Sequence, residues 1–229
     1  MTVREFSEQF DILYNNIMSN KAPGLSEYEK SVFLTKAQEE IVRGLYTGNI
    51  SKDSFEETEE LKRYLNTLIT TRLFTVGVSP DIAEVSSTDL RTYNHHIYEV
   101  TQPSNILYRI YEEAGLALCN NGIIAEVKSV AYEDLYNFVR NPFQRPSTKR
   151  VLRVDKGLRN NNTIFHLYSQ YPLTEYSLTF LRKPKPIILE DLDTDTIDGE
   201  STAQTSELDS SIHKMILDLA VQQAKSIWQ

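Results

Sequence analysis

The spacing of apolar residues changes part-way along the chain, from a helical period to a strand period. That switch limits the fold to one in which helices and sheet are segregated. Up to Phe74 the period is helical. Phe6, Phe10, Leu13, Tyr14 and Ile17 recur every three or four positions behind Thr2 and Glu5, which stand at capping-box spacing. Asn20-Lys-Ala-Pro-Gly24 predicts a turn. Ser26 and Glu29 predict a second capping box, followed by Tyr28, Val32, Leu34, Ala37, Ile41 and Leu45 in a long helix ending near Gly48-Asn49. A third helix is expected from Ser51 or Asp53, burying Leu61, Leu65, Leu68 and Ile69. All three stripes read as core packing.

Beyond Phe74 the apolar runs are short and rich in β-branched and aromatic residues. Ile106–Tyr111, Ile123–Val130, Val151–Val154, Ile164–Tyr168 and Tyr176–Leu181 are separated by Asn-Gly, Asn-Asn-Asn and proline-containing turns. Tyr132–Val139 predicts a short helix stopped by Asn141-Pro142. Lys183-Pro-Lys-Pro186 lacks the donors of a central strand and should terminate the sheet. The expected fold class is α+β. A helical hairpin or bundle covers 1–74, and an antiparallel β-rich part covers 75–186 with a short helix near 132–140. An acidic linker or arm covers 187–206, and a C-terminal helix covers 207–229.

Charge is placed unevenly. The formal net charge is −8, and the eight acids between Ile187 and Asp209, with no Lys or Arg among them, account for all of it. Mutual repulsion and low apolar content predict an extended, mobile arm there. Helical spacing then resumes at Leu208, Ile212, Met215, Ile216, Leu219 and Ile227, with Trp228 near the end. The terminal helix is expected to dock on another chain through Ile212, Met215, Ile216, Leu219, Ile227 and Trp228, and Asp191, Asp193 and Asp195 of the arm are expected to meet a neighbour's basic edge. Its deletion is expected to abolish assembly while leaving the body folded. A basic cluster at Arg140, Arg145, Lys149, Arg150 and Arg153 reads either as a surface for phosphates or an acidic partner, or as a solvated sheet edge.

Motifs of catalysis are missing. One cysteine, Cys119, excludes an internal disulfide and a cysteine zinc cluster. His95, His96, His166 and His213 have no metal-ligand spacing, and no glycine-rich phosphate loop or Gly-x-Ser-x-Gly elbow occurs. No enzyme, metal or cofactor is expected. No apolar run is long enough to span a bilayer, and the N-terminus lacks the apolar core of a signal peptide, so the chain is expected to be made and used without secretion, away from any membrane.

Several phrases carry a resemblance. They are Phe10–Asn16, Ala22–Lys30, Phe33–Glu40, Asn141-Pro-Phe-Gln-Arg-Pro146, Leu178–Ile188 and the ending around His213, Ile216 and Ala220-Val221. Together they resemble the head-to-tail adaptor or ring (neck) proteins of short-tailed, crAss-like bacteriophages, of the tail-tubular-protein-A kind. The resemblance implies a virion structural protein made in the host cytoplasm. It implies a cyclic homo-oligomer, twelve-fold, that connects the portal to other neck and tail proteins. Genomic DNA would pass through its lumen without sequence-specific binding. Other readings are a tail tube or hub subunit, or a β-sandwich module that binds host glycan or receptor.

Overall fold

The computed structural model describes residues 1–15, 24–48, 63–85, 95–118, 122–160 and 162–226. Ile17, Cys119, Ile227, Trp228 and the proposed start of the third helix lie outside them. The chain divides into a helical unit, Met1–Ile69 with Lys183–Gln229, and a β unit, Thr70–Arg182. The β unit is thus an insertion, and the acidic stretch and terminal helix belong with the N-terminal helices.

In the helical unit, α1 spans Val3–Asn15 and α2 Glu27–Thr47. Both start at the expected capping boxes. The Thr2 amide donates to Glu5 Oε2 at 2.8 Å and the Glu5 amide to Thr2 Oγ1 at 3.3 Å, with the same reciprocal pair at Ser26 and Glu29. α2 ends at Gly48, whose φ of 74° is the left-handed conformation of a helix stop. Phe6, Phe10 and Tyr14 form the buried stripe of α1. Lys30 of α2 is buried beside α1, its Nζ 2.7 Å from Asp11 and 2.9 Å from Glu27. Burial alone would lower the Lys30 pKa, but the hydrogen bonds and charges of the two carboxylates raise it.

The expected stripe of α2 is too narrow. Tyr28 is exposed, whereas Ser31, Thr35 and Gln38 are buried beside Leu34, Ile41 and Leu45. These polar residues recur at i, i+4 and i+7 and hold the backbone of 185–189. Ser31 Oγ accepts from the Leu189 amide at 3.0 Å, and Thr35 Oγ1 accepts from the Ile187 amide at 3.1 Å. Gln38 Nε2 donates to the Lys185 carbonyl at 2.7 Å, while its Oε1 accepts from Ser206 Oγ at 2.6 Å. Ile187, Ile188 and Leu189 are consequently buried.

The C-terminal helix of this unit, His213–Ser226, follows a 3-10 turn at Ser210–Ile212. It buries Ile216, Leu217, Ala220, Val221 and Ala224 against α2 and α1. The terminal helix is therefore a core element of its own chain, because this broad apolar face completes the bundle. Its deletion would open that core, contrary to the expectation of a body left folded.

In the β unit, β1 (Ile69–Thr75), β2 (Ile82–Glu84), β3 (His96–Thr101), β4 (Ile106–Leu116), β5 (Ile123–Ser129), β6 (Arg150–Arg159), β7 (Asn162–Ser169) and β8 (Leu173–Arg182) form one sheet. Among the described residues it has eight strands in the order β1-β8-β4-β5-β6-β7-β3-β2. β8 ends immediately before Lys183-Pro184, as expected. The strand at Ile69 begins before Phe74, where the third helix was expected to continue; residues 63–65 are its last described turn, followed by a 3-10 turn at Asn66–Leu68. β-branched Ile69, Thr70 and Thr71 favour the extended backbone there.

The sheet must curl. Eight strands laid flat would set the edges about 34 Å apart, yet β1 and β2 are joined by residues 76–81, which reach about 25 Å at most. Phe74 of β1 and Ile82 of β2 accordingly share one core with Val100, Phe165, Tyr176 and Leu178. The antiparallel expectation fails at one pair: β5 and β6 are parallel. A parallel pair needs a crossover, and the short helix α3, Leu135–Arg140, lies in it. Leu135, Phe138 and Val139 of α3 cover Ile97, Leu152, Val154 and Tyr168 on the outer face of β3, β6 and β7. The terminal helix, His213–Ser226, is α4.

Candidate interaction surfaces

Strand alternation sorts the basic cluster into two groups. Leu152 and Val154 point out toward α3, so Arg153 points into the curl, where it is 5% exposed. Arg153 is therefore not part of a basic surface. Its Nε lies 3.0 Å from Glu112 Oε2, an ion pair without hydrogen-bond alignment, and its Nη1 donates to Asp155 at 2.5 Å. Arg109 Nη1 donates to both oxygens of Asp155 at 3.2 Å, and the Tyr176 hydroxyl donates to Glu112 at 2.8 Å. Burial would raise the Asp155 carboxyl, but the charges and hydrogen bonds of Arg153 and Arg109 hold it below the usual carboxylate range. Burial and the adjacent Glu112 carboxylate push the Tyr176 phenol well up, so it stays a donor. This network joins β4, β6 and β8 across the place where β5 leaves β4. Its charges are paired within the chain, although the Nε atoms of Arg109 and Arg153 are buried without a hydrogen bond.

Arg140, Arg145 and Lys149 are exposed and Arg150 is half-buried, on or beside the loop that follows α3. No Asp or Glu occurs between Asp134 and Asp155. The loop is fixed by its own bonds. Asn141 Oδ1 accepts from the Phe143 amide at 3.0 Å, and the Asn141 carbonyl accepts from the amides of Gln144 and Arg145 at 3.0 and 2.9 Å. Ser147 and Arg150 pair backbone to backbone, and Arg150 Nη1 donates to the Phe143 carbonyl at 2.9 Å. The Phe143 ring is nonetheless 90% exposed. Nearby aromatics carry cations: Arg140 lies 5.1 Å over Tyr136, and Lys156 4.1 Å over Tyr132.

On the helical unit a groove of about 620 Å³ lies between α2 and α4. Ile41, Met215 and Leu219 give it an apolar floor, Gly44 brings no side chain to it, and Glu40 and Asp218 line it with acid beside Arg43. Arg43 is itself paired to Glu39 at 3.1 Å. Of the residues expected to meet another chain, Ile212 and Ile216 are buried in their own bundle, Met215 is 44% exposed and Leu219 is half-buried.

The acidic stretch is not extended. Ile188 pairs with Gln204, and the Leu192 amide donates to the Ser201 carbonyl at 2.7 Å. Ile197 pairs with Glu200 around Asp198-Gly199, both at positive φ (53° and 84°), as a tight hairpin turn requires. Lys183 Nζ lies 2.9 Å from Asp198 and 2.8 Å from Glu39, relieving part of the repulsion. Glu190, Asp191, Asp193 and Asp195 remain exposed on this folded loop. Asp198-Gly199 was the legible signal for the turn. Phe143 had none, since a lone aromatic between polar residues does not reveal its exposure.

Among the described residues no group of three His, Cys, Asp or Glu side chains is placed to hold a metal. His96 instead pairs with Glu84, Nδ1 to Oε1, at 2.7 Å. No helix among them is long and apolar enough to cross a membrane.

The profile of the phage tail ring protein 3/4 family matches residues 1–228. The chain belongs to that family. It is similar to ring protein 3 of Bacteroides phage crAss001, 37% identical over 231 residues, covering 98% of this chain and 95% of that protein. It is also similar to ring protein 4/5 of the same phage, 34% identical over 236 residues, covering 100% and 94%. The expected resemblance to crAss-like phage ring proteins thus holds across both units.

Proposed function

We propose that this ring-family chain is a non-catalytic structural subunit of the phage neck. It forms a cyclic homo-oligomer, twelve-fold, that links the portal to the tail and surrounds the channel through which the genome passes. The observation that carries this reading is the family match over nearly the whole chain. The exposed surfaces support it. A ring closes through two unlike patches on each subunit, and this chain offers a basic loop with Arg140, Arg145, Lys149 and Arg150, an acidic loop with Asp191, Asp193 and Asp195, and an acid-lined groove at Met215 and Leu219. Exposed carboxylates facing a lumen would repel phosphate and let DNA slide, whereas a basic lumen would grip it.

Mass photometry and electron microscopy of the purified chain, alone and mixed with the portal protein, test this. Rings with a central channel that attach to the portal are expected. A strict monomer in both samples removes the reading, and a ring that binds tail proteins but never the portal moves the chain to the tail tube.

A further inference from the structure

We propose that the Phe143 loop of one copy seats in the α2–α4 groove of the next copy, making a head-to-tail contact. The inference rests on the ring reading and adds the residues that close the ring.

The loop has the features of an anchor. Phe143 stands 90% exposed on a loop whose backbone is already held by Asn141, Ser147 and the Arg150 guanidinium. Ordering such a loop costs little on association. Exposed large aromatics on preorganised backbone are the residue type that dominates interface energetics. The groove has the complementary features. Its volume of about 620 Å³ falls in the range of pockets that bury a drug-sized group, which leaves room for one aromatic ring. Its floor is Ile41, Met215 and Leu219, and Met215 can adapt its shape to an incoming ring.

Charge sets the orientation. Arg145 and Lys149 flank Phe143 with no acid in the loop, while Glu40 and Asp218 line the groove and the Arg43 beside them is bonded to Glu39. A second copy supplies a loop that is apolar at the tip and basic at its sides, as that groove needs. DNA is the less apt occupant, since an acid-lined groove repels it and the loop carries the uncharged Phe143 ring 90% exposed.

The test uses full-length chain with Cys119 replaced by serine. Phe143→Cys copies are mixed with Leu219→Cys copies and treated with a short bismaleimide. Mixed dimers are expected, with little product from either variant alone, and the doubly substituted chain should give a ladder of oligomers. Phe143→Asp should weaken self-association about thirtyfold, and its circular dichroism should be unchanged because the residue is 90% exposed. Charge reversal at Lys149→Glu should weaken association, and Asp218→Lys should restore it. Absence of the mixed product overturns the contact. Equal product from Phe143→Cys alone overturns it too, in favour of a symmetric pair. If Phe143→Asp and Lys149→Glu reduce salt-sensitive retention on duplex DNA and leave self-association intact, the loop is a DNA contact and the proposal falls. Rings seen by electron microscopy without the cross-link retain the ring reading and remove this contact alone.

Discussion

The two units pin their chain with different chemistry. In the helical unit a neutral ridge on α2, Ser31, Thr35 and Gln38, satisfies the backbone of residues 185–189 one group at a time. In the β unit, the buried or half-buried Arg153, Glu112 and Arg109, with the exposed Asp155, hold the curled sheet across the split beside β5 through charges. Neutral bonds each contribute about 1 kcal/mol net, and the loss of one leaves its neighbours in place. Buried ions gain little over an apolar core while intact, but strand a charge when one member is lost. The helical unit should therefore weaken in steps, and the β unit should fail at once.

The sharpest break in that comparison is Glu112→Ala. It leaves Arg153 buried beside Phe165, with only Asp155 as a counter-ion. The expected loss is about 3–5 kcal/mol, read as a fall in the urea midpoint. Replacing both members together, Glu112→Leu with Arg153→Met, should recover part of it, because no charge is then stranded while the buried Tyr176 hydroxyl still loses its acceptor. A single substitution costing under about 1 kcal/mol would show that water reaches the pair and that its burial is not what holds the sheet.

Thr35→Val should be milder, at about 1–3 kcal/mol, since it orphans the buried amide of Ile187 without stranding a charge. Gln38→Ala removes bonds to the Lys185 carbonyl and to Ser206 and should cost a similar amount. The pair combined should lose less than the sum, because once residues 185–189 lift away both sites are already lost. Strict additivity in the double-mutant cycle would show the bonds to be independent and the segment held elsewhere.

Local signals carry far: the capping boxes at Thr2 and Ser26, the stop at Gly48, the five β-rich runs and the end of the sheet at Lys183-Pro184 stand where their residue types require. Partners distant in sequence do not show. Ser31, Thr35 and Gln38 look like a solvated face until residues 185–189 arrive to bond them. Arg153 looks like one more surface cation until strand alternation and Glu112, on another strand, turn it inward. Counting acids from Ile187 to Asp209 suggests an extended arm, because repulsion is visible in composition and three buried apolar residues at its start are easily discounted. The groove is invisible for the same reason: its two walls, around Ile41 and Leu219, come from opposite ends of the chain.

The smallest expected effect is one the two units share. His213 of α4 is buried against Phe6, ring centroids 5.3 Å apart, with Nδ1 accepting from the N-terminal amine at 2.6 Å and Nε2–H donating to the Leu208 carbonyl at 3.0 Å. That pattern satisfies a neutral ring. Burial lowers its pKa, the Leu208 carbonyl and Asp209 oppose the shift, and the amine's charge adds to it. His166 in the β unit is likewise lowered by burial, against the pull of Glu99 and with the help of Lys156 and Arg159. Each folded pKa lies below the unfolded value of about 6.5. As pH falls through that value the unfolded chain takes up protons that the folded chain refuses, so stability is complete above it and declines below. Asp155, held low by its arginines, adds a separate loss only below about pH 4, where the unfolded carboxylate protonates. Melting temperatures at pH 7.5 and 5.5 should therefore differ in the native chain. His213→Gln and His166→Gln should each remove part of that difference, and neither should alter the loss below about pH 4. An unchanged difference in both variants would place the titrating group elsewhere and remove the histidines from the account.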